Sequence, residues 1–174
     1  MTFRLADSIP QEKLRPLQAA REQWLSAHPE PWDEATHADY QLRFSDQIES
    51  WLDAGYGSRA LARPDIRDAT VACLTQFEDT RLHLPAAVIM PNHVHALIEP
   101  LAGNPLATLL KGIKGASARA ANRLLGQTGT FWLDESYDHI VRNESEFTAF
   151  VRYIESNPTR AHLSPEQYWL RLPK

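Results

Sequence analysis

"TRLHLPAAVIMPNHVHALIEP", Thr80–Pro100, is the stretch from which the fold can be read. Two apolar runs flank the dipeptide Pro91-Asn92, a turn signal. The spacing predicts a strand up to Met90, a turn, and a returning strand "HVHALIE". Side chains alternate along a strand, so His93, His95 and Leu97 face one way and Val94, Ala96 and Ile98 the other. Two imidazoles at i and i+2 are neighbours on that face and can share one cation. Hydrogen-bonded or surface histidines are the more ordinary meaning of a His-x-His pair, and the spacing alone does not choose. His83 and His139 stand without a partner at ligand spacing and read as structural.

Outward from the hairpin the pattern is helical on both sides. Pro64 suits the first turn of a helix running to about Phe77, with Ile66, Thr70, Val71 and Leu74 on its face. After the hairpin a long helix is expected from about Pro105 to Leu125, stopped by Gly126. "SYDHIVR" reads as a further strand. "NESEFTAFVRYIESNP" reads as a helix with Asn143 as N-cap, Glu146 at capping-box spacing and Pro158 as its end. "TFRL" at the start is a short strand. Between it and residue 60 lie two helical patterns: one up to His28, broken by Pro29 and Pro31, the other in "DEATHADYQLRFSDQIESWLDAG". They form an acidic helical pair inserted at about residues 10–56, whose Trp24, Trp32 and Trp51 read as packing residues. Leaving the insertion out, the order is strand, helix, strand, strand, helix, strand, helix. That is an α+β pattern, a ferredoxin-like antiparallel sheet with helices on one face, in a single domain.

Composition narrows the function. The 174 residues carry a net charge of −4, which argues against a general nucleic-acid coat protein. The charge is uneven: residues 1–100 hold 9 Lys/Arg against 15 Asp/Glu, and residues 101–174 hold 9 against 7. Any polyanion surface is therefore expected in the second half. The lone Cys73 excludes an intramolecular disulfide and a multi-cysteine zinc site, and reads as a small core residue. No run approaches the length of a membrane span, and the first residues lack the apolar core of a signal peptide. These features favour the cytoplasm.

The last helix carries the second chemical signal. Tyr153 and Asn157 in "VRYIESNP" are spaced i, i+4 and share one face. Phe147, Val151 and Ile154 make the neighbouring apolar stripe that would seat the helix. Taken singly, each residue has an ordinary explanation: an amphipathic packing tyrosine, and an Asn-Pro helix ending.

"PNHVHALIEP" together with "FWLDESYDHIVRNESEFTAFVRYIESNPTRAHL" closely resembles the single-tyrosine HUH transposases, above all the REP-associated tyrosine transposases related to insertion-sequence transposases. The resemblance runs from about "TFRL" to "NPTRAHL". It implies the same ferredoxin-like fold. It implies that His93 and His95 are metal ligands for Mg²⁺ or Mn²⁺, that Tyr153 is the nucleophile, and that Asn157 is a third ligand. Tyr137 is the rival nucleophile, without a polar partner one turn on. The implied activity is metal-dependent cleavage and joining of single-stranded DNA through a 5′-phosphotyrosine, at hairpin-associated sites.

The helix after the hairpin offers Lys111, Lys114, Arg119 and Arg123 as phosphate contacts, with Arg142, Arg152 and Arg160 extending the set. Phe131 and Trp132 are candidate base-stacking residues. The expected partner is single-stranded or hairpin DNA, with no membrane, and the protein acts as a homodimer or a monomer. The competing readings are a non-catalytic nucleic-acid-binding module of the same fold, a phosphodiesterase using water, and a replication initiator or relaxase of the wider group.

Overall fold

The computed structural model describes residues 1–173. Its centre is a four-stranded sheet in the order β1-β3-β2-β4, every neighbouring pair antiparallel. The strands are β1 (Thr2–Arg4), β2 (Leu82–Ile89), β3 (His93–Pro100) and β4 (Trp169–Arg171). The fold is α+β, as the pattern predicts. The hairpin of β2 and β3 turns at Pro91-Asn92, where Met90 N–H donates to the His93 carbonyl at 2.9 Å.

Alternation along β3 divides the core. Val94 and Ala96 join Phe3, Leu5, Leu82, Leu84, Ala87 and Ile89 on one face. His93 and His95 lie on the other, with Leu97 beside Ala86, Val88 and Met90. In β2 the facing residues change from even to odd numbers, because the register shifts by one residue between His83 and Ala86, the stretch that contains Pro85. Proline lacks the N–H a central strand would use, so the register shift is where it is tolerated.

Among the described residues six α-helices surround the sheet: α1 (Gln11–Ala27), α2 (Glu34–Tyr40), α3 (Asp46–Asp53), α4 (Pro64–Thr75), α5 (Leu106–Leu125) and α6 (Glu144–Arg160). Helices α4 and α5 cover the first face through Ile66, Leu74, Leu109, Ile113 and Ala121. Gly126 ends α5 at φ +65°, a left-handed position that glycine occupies without strain. Helix α6 lies on the opposite face, the one bearing the histidines. It is seated by Ile154 with Phe147, Phe150 and Val151 against Ala86, Val88 and Leu97.

The segment between β1 and α4 is the expected helical insertion, with its second part divided. Helices α2 and α3 are joined by a wide π-helical turn over Gln41–Ser45. One apolar cluster is Trp24, Tyr40 and Phe44 with Trp32, so the tryptophans here are packing residues. A second sets Ile48, Trp51 and Leu52 of α3 against Ile9 and Leu14.

Four expectations differ from the structure. The helices do not share one face of the sheet: both faces carry apolar side chains, so α4 and α5 cover one and α6 the other. "SYDHIVR" is not a strand: Tyr137 forms an isolated two-bond bridge with Thr2, and Ile140 is 74% exposed. Strand β1 is too short to template more pairing, and the segment has no buried face. The fourth strand is instead β4 at the other edge, paired with β2 and tied down by the Arg171–Glu78 ion pair. Pro158 does not end α6, which runs to Arg160. A proline so near the helix end removes only one N–H···O bond. Asn143 caps the start of α6 as expected, accepting from Glu146 N–H at 2.8 Å. Finally, Phe131 and Trp132 are core residues: Trp132 Nε1–H donates to Ser117 Oγ at 2.9 Å, and its ring meets Phe3 edge-on at 4.8 Å. Neither can stack on a base.

Candidate metal centre and nucleophile

The two histidines are buried, their ring centroids 4.6 Å apart. Each is held through one ring nitrogen. His93 Nδ1 lies 2.8 Å from Asn92 Oδ1. The Asn92 amide is oriented by its nitrogen, which donates to the Leu52 and Tyr56 carbonyls at 3.1 and 3.3 Å. Its oxygen must therefore accept, so His93 carries its proton on Nδ1 and turns a bare Nε2 lone pair inward. His95 Nδ1 is 2.7 Å from the hydroxyl of Thr2, its cross-strand partner on β1. Both Nε2 atoms are buried without a hydrogen-bond partner.

A third group closes the site. Glu49 of α3 brings its buried Oε2 within 3.4 Å of His95 Nε2, a contact without hydrogen-bond geometry. One ligand atom from each of Glu49, His93 and His95 lies within 4.8 Å of the others. Three buried donors that make no hydrogen bond among the described residues form an arrangement that could hold a divalent cation, and the mixed N/O set suits Mn²⁺ or Mg²⁺. Asn92 also locks α3 to the turn: the residue that orients His93 holds the backbone at the end of the helix bearing Glu49.

Electrostatics favour the ligand forms. Burial, reinforced by His95, pushes the His93 pKa down to about 3, so its imidazole is neutral at ordinary pH. Burial alone would raise the Glu49 carboxyl; His95 outweighs it, and the acid is held at about 2. Both values lie below the ordinary 6.5 and 4.5. As pH falls through 6.5 the unfolded chain takes up a proton that folded His93 refuses until near 3. The associated stability is complete above about pH 6.5 and drains away towards pH 3, with Glu49 adding to the loss below 4.5. In chelator, urea unfolding should show on the order of 1–2 kcal/mol less stability near pH 5 than near pH 7. His93→Gln should flatten that slope. Equal stability at the two pH values would contradict a buried neutral His93.

Tyr153 of α6 lies against this group, its ring edge-on to His95 at 5.1 Å between centroids. Burial, then the charge of Glu49, raises its hydroxyl pKa well above the ordinary tyrosine value. Asn157, one turn on, is fully buried: its Nδ2 donates to the Tyr153 carbonyl at 2.7 Å and its Oδ1 has no partner. Glu49, His95 and Tyr153 border a cleft of about 1320 Å³ between α1, α3, α6 and the segment Leu133–Tyr137. Tyr137 also lines that cleft and is 51% exposed, with its backbone paired to Thr2.

The basic residues are not gathered there. Helix α5 covers the face opposite the histidines, so exposed Lys111, Arg119 and Arg123 lie across the sheet from Tyr153. Lys114 is engaged locally: its Nζ donates to the Leu133 and Asp134 carbonyls and the Ser136 hydroxyl at 2.8, 2.8 and 3.0 Å. Arg142 and Arg152 are exposed at and on α6.

Glu49 escaped the reading of the sequence. Its signal was faint: an acid three residues before buried Leu52, bordering the apolar stripe of "DQIESWLD".

A buried His-x-His strand, an acid beside it and a tyrosine on the helix packed against them define the class of site. The family model described as "Transposase IS200 like" matches residues 60–157, more than half the chain, and the protein belongs to that family. No curated protein and no solved structure matches it. Glu49 lies outside the matched stretch. Among the described residues no helix is long and apolar enough to cross a membrane.

Proposed function

We propose that the protein is a metal-dependent single-stranded DNA endonuclease and strand transferase, acting in the cytoplasm at hairpin-associated sites. The observation carrying this reading is the Tyr153 ring against His95, beside three buried donors that make no hydrogen bond among the described residues. His93, His95 and Glu49 would hold Mg²⁺ or Mn²⁺, and Asn157 keeps a free oxygen as a further ligand. When bound, the cation would draw charge from the non-bridging phosphate oxygens, orient the phosphate and offset the Glu49 charge.

The protein's own groups do the rest. Asn92 and Thr2 hold the imidazoles so that both Nε2 atoms point at one place. Helix α6 holds the phenol oxygen of Tyr153 at the edge of the cleft. That oxygen attacks phosphorus, a P–O bond to Tyr153 forms, and the bond to the 3′ oxygen breaks. The phenol proton is matched by the proton the departing 3′-hydroxyl gains. The product is a 5′-phosphotyrosine with the ester energy retained, so another 3′-hydroxyl can reverse the step and join strands. Lys111, Arg119, Arg123, Arg142 and Arg152 would contact backbone phosphates away from the cut.

The test is substrate form. With Mn²⁺, single-stranded oligonucleotides carrying a hairpin should be cleaved, and blunt duplexes of the same sequence at least about 100-fold more slowly, because pairing keeps the phosphate out of a cleft built for one strand. Binding should weaken as salt rises. Equal rates on both forms would sink the reading, and binding without cleavage on a broad set would favour a non-catalytic binding module.

A further inference from the structure

Arg160 is a charged group at the site to which the proposed chemistry gives no task. It follows Tyr153 and Asn157 along one stripe of α6, at i+7 and i+3. Its guanidinium carbon lies 5.3 Å from the centroid of the Tyr153 ring. Its Nη2 donates to Asp53 Oδ2 at 3.0 Å. Asp53 is one turn beyond Glu49, so α3 presents one acid to the histidines and the next to the arginine.

The two halves of this ion pair are unequally exposed, 41% for the Arg160 side chain and 16% for Asp53. The acid is the fixed part, and the guanidinium lines the cleft with Glu49, His95 and Tyr153. Asp53 occupies one edge of the fork. The bond to Asp53 uses one N–H donor, and the Tyr153 hydroxyl is a second neighbour of the guanidinium. An ion pair kept only for stability gains little at such exposure, and stability does not explain why it borders the tyrosine and the cleft. A planar, multi-donor fork beside an attacking oxygen matches the non-bridging oxygens of a phosphodiester, where charge accumulates during transfer.

We propose that Arg160, oriented by Asp53, grips the scissile phosphate of a single-stranded DNA substrate next to Tyr153. This rests on the reading of Tyr153 as nucleophile. Asp53 and Arg160 both fall outside residues 60–157, so the pair is a feature of this chain beyond the stretch that matches the family model.

The experiment is single-turnover formation of the protein–DNA adduct with Mn²⁺ and single-stranded hairpin oligonucleotides, using R160A, R160K and D53N. Loss of a preorganised donor to developing charge predicts about a 100-fold slower adduct in R160A. The Mn²⁺-induced rise in thermal stability should be unchanged. R160K should recover part of the rate, because an ammonium supplies the charge without the fork, and D53N should fall between R160K and wild type. Free guanidinium ion at sub-denaturing concentration should speed R160A and leave wild type unaltered. An R160A rate within about threefold of wild type, far less than such a donor supplies, would overturn the proposal and leave Tyr153 standing. A loss that guanidinium ion does not reverse would make Arg160 structural and overturn it too. If R160A does not fold, R160K decides: a wild-type rate overturns the proposal, and a slow rate with an intact Mn²⁺ response supports it. Absence of any adduct in wild type would remove the Tyr153 reading and this one together.

Discussion

Tyr153→Phe should fold, bind single-stranded DNA and take up metal, yet form no covalent adduct. The change removes one oxygen and leaves the ring that packs against the cluster of Ala86, Val88 and Leu97 and meets His95 edge-on. Loss of a nucleophile is among the largest single effects in such chemistry, on the order of 10³-fold or more in adduct rate. Tyr137→Phe should leave the adduct intact: Tyr137 reaches the cleft from an irregular segment, with no polar partner one helical turn away. The check is a denaturant-resistant protein–DNA band, mapped by mass spectrometry after incubation with Mn²⁺ and hairpin oligonucleotides. An adduct on Tyr137, or cleavage by Tyr153→Phe at the wild-type rate, would overturn the assignment.

The second large effect concerns the metal donors, and it can be read without any DNA. A cation that binds only the folded protein stabilises it by about 2.7 kcal/mol at a hundredfold excess over its dissociation constant. Wild type should therefore melt higher in Mn²⁺ than in chelator. Glu49→Gln and His95→Ala should lose most of that rise. Glu49→Gln is the cleaner variant, since it keeps the shape of a buried side chain and removes the charge. Cleavage should fall with metal binding by about 10² to 10³-fold, several kcal/mol at 1.36 kcal/mol per decade. His83→Ala, at a partly exposed pair with Asp79, should change neither readout. A Mn²⁺ response in Glu49→Gln equal to wild type would remove Glu49 from the ligand set and return attention to Asn157.

These two predictions divide along the line between local pattern and long-range packing. The helical insertion between β1 and α4 is central to that division. It reads as an acidic appendage with no DNA surface, yet it supplies Glu49 to the histidines and Asp53 to Arg160. Nothing in residues 46–53 points to the hairpin forty residues later. The link is made by Asn92, whose amide reaches the carbonyls of Leu52 and Tyr56 while its oxygen positions His93.

By itself the sequence determined what short-range physics controls. The two-residue period of a strand put His93 and His95 on one side of β3. The 3.6-residue period of a helix set Tyr153 above Asn157 and beside the stripe of Phe147, Val151 and Ile154. Asn143 and Gly126 marked helix ends through their own backbone chemistry. Tertiary structure decided everything that depended on which surfaces meet. It buried Trp132 against Phe3, turned Lys114 onto the Leu133–Ser136 segment, and placed α5 with its basic residues across the sheet from Tyr153. It also chose Trp169–Arg171 rather than "SYDHIVR" as the fourth strand, because pairing needs a long enough neighbour and a face to bury, and neither is written in the segment that pairs. Glu49 became a candidate ligand only when α3 packed beside β3, since a carboxylate acquires that role from the imidazoles it faces and not from its neighbours in the chain.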